Sequence, residues 1–502
     1  MKPYIYFIAL LFLGISCGKD FLEENPKGVL DPGIFFSSSQ IQLAADNLPA
    51  ELSRIWSQAG CVGPFMGGDD LTTHPASNKE RFREVDLFSA TGVNDRIQLW
   101  WDGCYATIRA ANAILTNVDQ SSASESLKDD ARGQAYFYRG LSYSFLTRIF
   151  GRVPLVLEFN VNPDLGVQKA EVAAIYDQIV SDLQNAESFL PNIRPEGPSD
   201  RGGYPGARPC KGTVKAVMSQ VYLTMAGWPL KETSNYAMAA IKAKEVIDNA
   251  GVYQYALEPD PNDLWTWANN FTNQEIVFAL YYNYNIGQVS MHGPLGPRPE
   301  EYVNPAISWA SGWSDYYGEV SFFNRFPAGP RKDATYQTMI PIKNVGDVPW
   351  DDDRTYRKHP YFKKYQDEFP GASWAGSRAE QIIRYAEVLL NYAEAQAMAD
   401  GAPNSDAYAA INAVRNRAGL PDLTPGLSGV AFRDSVIVER GWEFAGGEAA
   451  SRWFDLIRTE AVEQANALRD PSEIPLSNQP SKEHYWMPIP DIEISYNPNL
   501  EN

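Results

Sequence analysis

Three carboxylates and three guanidiniums crowd together near the end of the chain: Glu439, Arg440, Glu443, Arg452, Asp455 and Arg458. Two carboxylates flanking a sugar would be the acid and nucleophile of a glycoside hydrolase. These acids, however, alternate with Trp442, Phe444, Trp453, Phe454 and Leu456 in text of helical period. A buried charge needs a partner, so the six are read as interhelical ion pairs. Arginine neighbours keep carboxylates ionised, which is wrong for a general acid. No HExxH, Walker A loop, dinucleotide fingerprint or GxSxG elbow is present. The expectation is a protein without catalysis and without a cofactor.

A second set suggests binding. Trp309, Trp313, Tyr316 and Tyr317 lie near Gly312 and Gly318 in text without sustained period. Sugar C–H faces stack on such rings when a loop presents them, while polar neighbours fix the hydroxyls. The alternative is that the rings pack the loop onto its scaffold. His292 in the same segment is a further candidate. An earlier loop holds Gly67-Gly-Asp-Asp70 and His74. Asp69 or Asp70 would accept strong hydroxyl bonds, or would simply form a turn. Trp100 and Trp101 are adjacent on helical text, so one of them is expected to point off the core face, and Trp100 is assigned to the ligand. Asp351-Asp-Asp353 offers oxygens to calcium but lacks EF-hand spacing, so an acidic turn is expected. The histidines at 74, 292, 359 and 484 form no metal spacing, and no metal is expected.

The elements that must position these residues are mostly helices. Trp101, Tyr105, Ile108, Ala111 and Leu115 share one helix face. Ala135 to Leu146 makes another, ended by Gly151 and Pro154. Glu171–Leu190, Gly212–Ala226 and Tyr236–Asn249 read the same way, the last with Gly251 as its cap. Glu275–Leu280 reads as a short strand leading into the irregular segment from Asn283 to about Ser377. Tyr385-Ala-Glu recurs as Tyr392-Ala-Glu, two helical turns on. A helix capped at Asn404 or Ser405 follows and stops at Gly419, so the two make a TPR-like pair.

With 44% hydrophobic residues the chain can bury a sizeable core. Its net charge of -19, with no lysine- or arginine-rich block, argues against nucleic acid as a partner. Lys2, the apolar run Tyr4–Leu13 and the small residues before Cys17 read as a secretory signal peptide over 1–16. A cysteine at the cut suggests a bacterial lipoprotein, acylated on Cys17 and followed by an acidic tether over 17–32. Cys61, Cys104 and Cys210 can then form at most one disulfide, and buried or free thiols are expected.

The tether start, Cys17-Gly-Lys-Asp-Phe-Leu-Glu-Glu-Asn-Pro26, resembles that of the SusD/RagB family of nutrient-binding lipoproteins. Arg384-Tyr-Ala-Glu-Val-Leu-Leu-Asn-Tyr-Ala-Glu-Ala395 resembles the family's RYAEVLLxYAEA, and Ile411–Leu420 its INxVRxRAGL. Glu439-Arg440, Glu443-Phe444 and Arg452–Arg458 are similar to its ER…E…RWFDLxR, and Met487–Asn502 to its ending. Trp101, Tyr105, Ile108 and Asn112, with Gly151-x-Val-Pro-Leu155, also fit. Ala445–Ser451 departs from the shorter link common there.

The resemblance implies a mainly α fold: a TPR-like helical repeat scaffold, a SusD-like α-α superhelix, with long irregular loops and minor β-hairpins. It implies one SusD-like domain over 33–502, with helices to about 270, ligand loops over about 271–377 and C-terminal helices and tail from 378. It further implies an outer-membrane lipoprotein facing the cell exterior. Such a protein binds oligosaccharide without enzymatic action and serves a TonB-dependent, SusC-like transporter. A RagB-like peptide binder is the alternative within that resemblance; a TPR scaffold for protein partners and a surface hydrolase are the readings from other classes.

Overall fold

The computed structural model describes residues 37–56, 65, 67–73, 75, 80–160, 166–193, 204, 206–282, 295, 313–342, 344–355, 357–366 and 378–501. Cys17, its tether, Cys61, His74, His292 and Trp309 lie outside the described residues.

Helices carry the described chain. α1 (Ser38–Ser53) packs on α3 (Asp95–Asn117) and α4 (Glu125–Phe150). Between them lie the short strand β1 (Leu71–Thr73) and helix α2 (Glu80–Asp86). α4 packs in turn on α5 (Val172–Phe189), and α6 (Lys211–Ala226) on both α5 and α7 (Asn235–Asp248). Each pair buries the apolar face that its period encodes. Asn94 and Ser124 cap α3 and α4 by accepting backbone N–H bonds. The turn after α7 differs from the sequence expectation. α7 ends at Asn249, Gly251 sits inside a further helical turn, and Gln254 takes the left-handed position at φ 61°.

The chain then leaves the scaffold and comes back at the same place. β2 (Ile276–Leu280) pairs antiparallel with β8 (Glu380–Arg384), so residues 281–379 form one excursion rooted on a two-stranded ribbon. The described part of that excursion contains β3 (Tyr316–Gly318), α8 (Val320–Arg325), α9 (Pro330–Thr335) and β4 (Tyr336–Gln337). A hairpin of β5 (Met339–Ile342) and β6 (Gly346–Pro349) and the short β7 (Tyr361–Phe362) follow. β3 pairs with β1, which pins the excursion to the earlier loop, and β4 pairs with β7 within the excursion.

α10 (Tyr385–Asp400) docks back on α6 and α7 and carries α11 (Ser405–Arg417) and α12 (Gly429–Glu443). Ala386, Ala393 and Ala397 on α10 are buried, and their small size lets the neighbouring helices approach. Asn404 caps α11 through the Ala407 N–H, as its residue type predicts. α13 (Ser451–Arg458) and a tail that returns to the α4 end complete the chain. No described helix is long and apolar enough to cross a membrane. Cys104 and Cys210 are buried free thiols.

Candidate functional site

The excursion stands on a buried layer of charge. Arg384, at the end of β8, donates to Glu275 at 2.5 Å, to Glu443 at 2.8 Å and also to Glu448. Arg417 reaches Glu275 at 2.5 Å and also Glu443, and Arg331 reaches Glu439 at 2.6 Å and Glu443 at 3.0 Å. Arg415 takes the other oxygen of Glu439 at 2.9 Å, and Lys364 bonds Glu448 at 2.7 Å. Burial alone would raise the Glu443 carboxyl; Arg417, Arg384 and Arg331 more than offset it and hold it well below the usual carboxylate range. A second layer joins α10, α12 and α13. Arg440 bonds Asp455 at 2.6 Å, and Arg458 bonds Asp455 at 2.8 Å and Glu394 at 2.5 Å. Removing any one member strands its partners in a dry interior.

Glu380 on β8 stands beside this layer. Burial, and then the charge of Glu448, push its carboxyl up to about 8 against the pull of Lys364. It is a protonated acid at neutral pH, but Glu448 beside it is held by Arg384 and Lys364.

The residues assigned to the ligand from sequence separate into two groups. Trp100 is fully buried, edge-on to Trp56 at 4.7 Å, Phe65 at 4.7 Å and Phe145 at 5.5 Å. Trp101 is buried as well, against Tyr105 and Phe150. The expectation that one of the pair points outward is therefore corrected: α3 is covered on more than one side, so adjacent positions both face protein. Tyr316 and Tyr317 are also corrected. Tyr316 sits edge-on to Phe82 at 4.9 Å, and Tyr317 donates to Ser314 O at 2.9 Å while lying on His359 at 5.3 Å. The β1–β3 pairing turns both rings into protein, so neither offers a face to a sugar.

Asp69 and Asp70 are corrected on the same ground. Arg452 grips Asp69 at 2.6 Å and 3.0 Å, with Arg325 behind it at 3.5 Å. Burial opposes the Asp69 charge, but the Arg452 guanidinium, with Arg325 behind it, holds its carboxyl below the usual range. Asp70 accepts from Gly446 N at 2.8 Å and Gly447 N at 3.1 Å. Burial and the charge of Asp69 push its carboxyl up. The two glycines take φ +89° and +74°, which turns successive N–H groups toward Asp70. The long Ala445–Ser451 link thus clasps the earlier loop. Trp313, just before β3, remains half-buried.

Two features escaped sequence reasoning. Four rings gather at the excursion's root, Tyr204 exposed and Trp267, Phe271 and Tyr281 half-buried. Tyr204 lies 4.6 Å from Phe271 and 5.0 Å from Tyr281, and Trp267 lies 5.2 Å from Phe271. The signal was the amide-rich text Asn269-Asn-Phe-Thr-Asn273, which sets aromatic and hydrogen-bonding groups side by side. The second is His359. Its Nδ1 faces Arg357 O at 2.6 Å and its Nε2 faces Glu473 at 3.1 Å. Only the imidazolium donates to both. Burial opposes the charge, but Glu473 and Arg357 O more than offset it, so the folded value lies above 6.5. A raised value stabilises the fold fully below the unfolded value, and that contribution is lost as pH rises through the folded one. The urea midpoint is therefore expected to fall as pH rises above about 6.5, and His359→Gln should flatten that slope. An unchanged slope in the variant would contradict the assignment.

Comparison with known proteins follows this architecture. The family model described as "SusD family" matches residues 308–502, and one described as "Starch-binding associating with outer membrane" matches 70–223. SusD-like protein P2 of Formosa agariphila is 27% identical, over 100% of this chain and 99% of that protein. A solved structure titled "Laminarin binding SusD-like protein" superposes with a TM-score of 0.74 at 22% identity, covering 92% of this chain and 98% of the other. Surface glycan-binding protein A from Bacteroides uniformis gives 0.76 at 22% identity, again covering 92% and 98%. Matches at both ends, a relative aligned along its full length and a shared fold agree, and the chain belongs to the SusD/RagB family.

Proposed function

We propose that this protein is a cell-surface, lipid-anchored glycan-binding protein that captures oligosaccharide and passes it to a TonB-dependent, SusC-like outer-membrane transporter. The observation that carries the reading is the arrangement around the excursion. Aromatic rings stand half-buried or exposed at its root and before β3, while the acids beneath it, Glu380 apart, are bonded to arginines and lysine. Rings of this kind hold sugar C–H faces, and acids so bonded are poor proton donors. Relatives of the same fold carry names for laminarin and surface glycan binding, which supports glycan as the ligand class. Cys17 is the proposed point of acylation, and the ligand is proposed to contact Trp309 and Trp313.

Isothermal titration against plant, host and microbial oligosaccharides tests this reading, run at low and high salt. Binding of a neutral glycan should change little with salt, because no exposed ion attraction is involved. Trp313→Ala and Trp309→Ala should each weaken it about tenfold, in line with loss of one aromatic contact of roughly 1–1.5 kcal/mol. Heat only with peptides, fading as salt rises, would favour the RagB-like alternative. Cys17→Ala should release the protein from the outer-membrane fraction, since sustained anchoring of this kind depends on the acyl chains. A variant that still pellets without its transporter would contradict the anchor.

A further inference from the structure

Two sequence motifs play no part in the excursion: Gly151-x-Val-Pro-Leu155 and the C-terminal run Met487–Asn502. The structure brings them together. Met487 N donates to Ile149 O at 2.7 Å. Asn497 and Asn499 donate to Val167 O and Gly166 O, both at 2.8 Å. Lys169 Nζ donates to the carbonyls of Leu500 at 3.1 Å and Glu501 at 3.2 Å. The tail is thus fastened across the loops at either end of the α4–α5 connection.

Two adjoining clefts open along this seam, of about 400 Å³ and about 300 Å³, and Phe150 and Trp486 line both. That is the size range of small-ligand sites. No described residue of the 281–379 excursion lines either. Trp486 is held in one pose. Its indole covers Gly151, where a Cβ would come within 2.6 Å of the ring, and Trp228 leans on it at 4.7 Å. Gly151 has φ +71°, so glycine is required there for backbone and ring alike. Around the larger cleft stand Arg152, Gln168, Lys169, Asn499 and Glu501. Arg152 is already paired with Glu171 at 2.8 Å, so the rim offers hydrogen bonds with its charge balanced. A fixed indole, an apolar floor and a rim of two amides with two cations, Arg152 and Lys169, offset by Glu171 and Glu501 suit a neutral, hydroxyl-rich ring. They suit an ion or an apolar peptide side chain less well.

We propose that this seam is a second ligand site, taking a neutral sugar unit against Trp486 with its hydroxyls on Arg152, Gln168 and Asn499. The proposal rests on the glycan reading above. It gives the protein two contact points for one long glycan, which raises avidity without tighter single sites.

The test uses the mature protein labelled with 5-fluorotryptophan, the Trp486 fluorine signal being assigned from Trp486→Phe. Each oligosaccharide, neutral or acidic, that gives heat in titration is added in turn. The Trp486 signal should shift and saturate. Arg152→Ala and Gln168→Ala, both at the rim, should each weaken that response about fivefold while leaving the Trp313 signal's response intact. A Trp486 signal that stays still while the Trp313 signal responds overturns the second site and leaves the glycan reading standing. A response only to acidic sugars overturns the neutral assignment. If no glycan moves any signal or gives heat, the glycan reading and this site fall together.

Discussion

Replacing Arg384 with Met is expected to cost the folded state about 3–5 kcal/mol, the usual penalty for breaking a buried ion pair from one side. Arg384 is the shared partner of Glu275, Glu443 and Glu448, and it ends the strand that roots the excursion. Its loss leaves three buried carboxylates competing for Arg417, Arg331 and Lys364. The expected result is a large fall in the urea midpoint, or failure to accumulate as soluble protein. Arg354→Ala, which removes a surface pair with Asp352, is the control and should leave the midpoint where it is. Equal behaviour of the two variants would show that the buried network does not hold the excursion to the scaffold.

Trp100→Ala should be comparably costly, about 3–5 kcal/mol, because an aromatic core residue leaves a cavity as well as lost transfer energy. Trp100 joins α3 to the turn after α1, to α4 and to the earlier loop through Trp56, Phe145 and Phe65. Where folded Trp100→Ala protein is recovered, its glycan affinity should match the wild type. Thermal melting and titration on the same preparation separate the outcomes. A variant of unchanged melting temperature that no longer binds glycan would return Trp100 to the ligand site.

The helices were readable because their apolar positions recur at helical spacing and their ends carry ordinary signals, such as Asn404 before α11 and Gly151 after α4. The Gly251 cap was misplaced because helix ends turn on single φ values that neighbouring residues decide. Burial was harder to read. Trp100, Tyr316 and Tyr317 look like exposed stacking residues until β1 pairs with β3 and the earlier loop folds over α3. Those contacts join residues far apart in sequence, and no local pattern encodes them. Asp69 and Asp70 illustrate the same limit, since their partners are Arg452, Gly446 and Gly447. The ring cluster of Tyr204, Phe271 and Tyr281 and the tail seam at Trp486 likewise exist only once distant loops meet.

Equilibrium dialysis of the purified mature protein against a neutral oligosaccharide identified by titration tests the central claim most directly, with the recovered glycan weighed by mass spectrometry. The account predicts that glycan is retained on the protein side at every time point and recovered at its original length. Shortened glycan with new reducing ends would contradict it, and would turn attention to Glu380, whose carboxyl is raised to about 8.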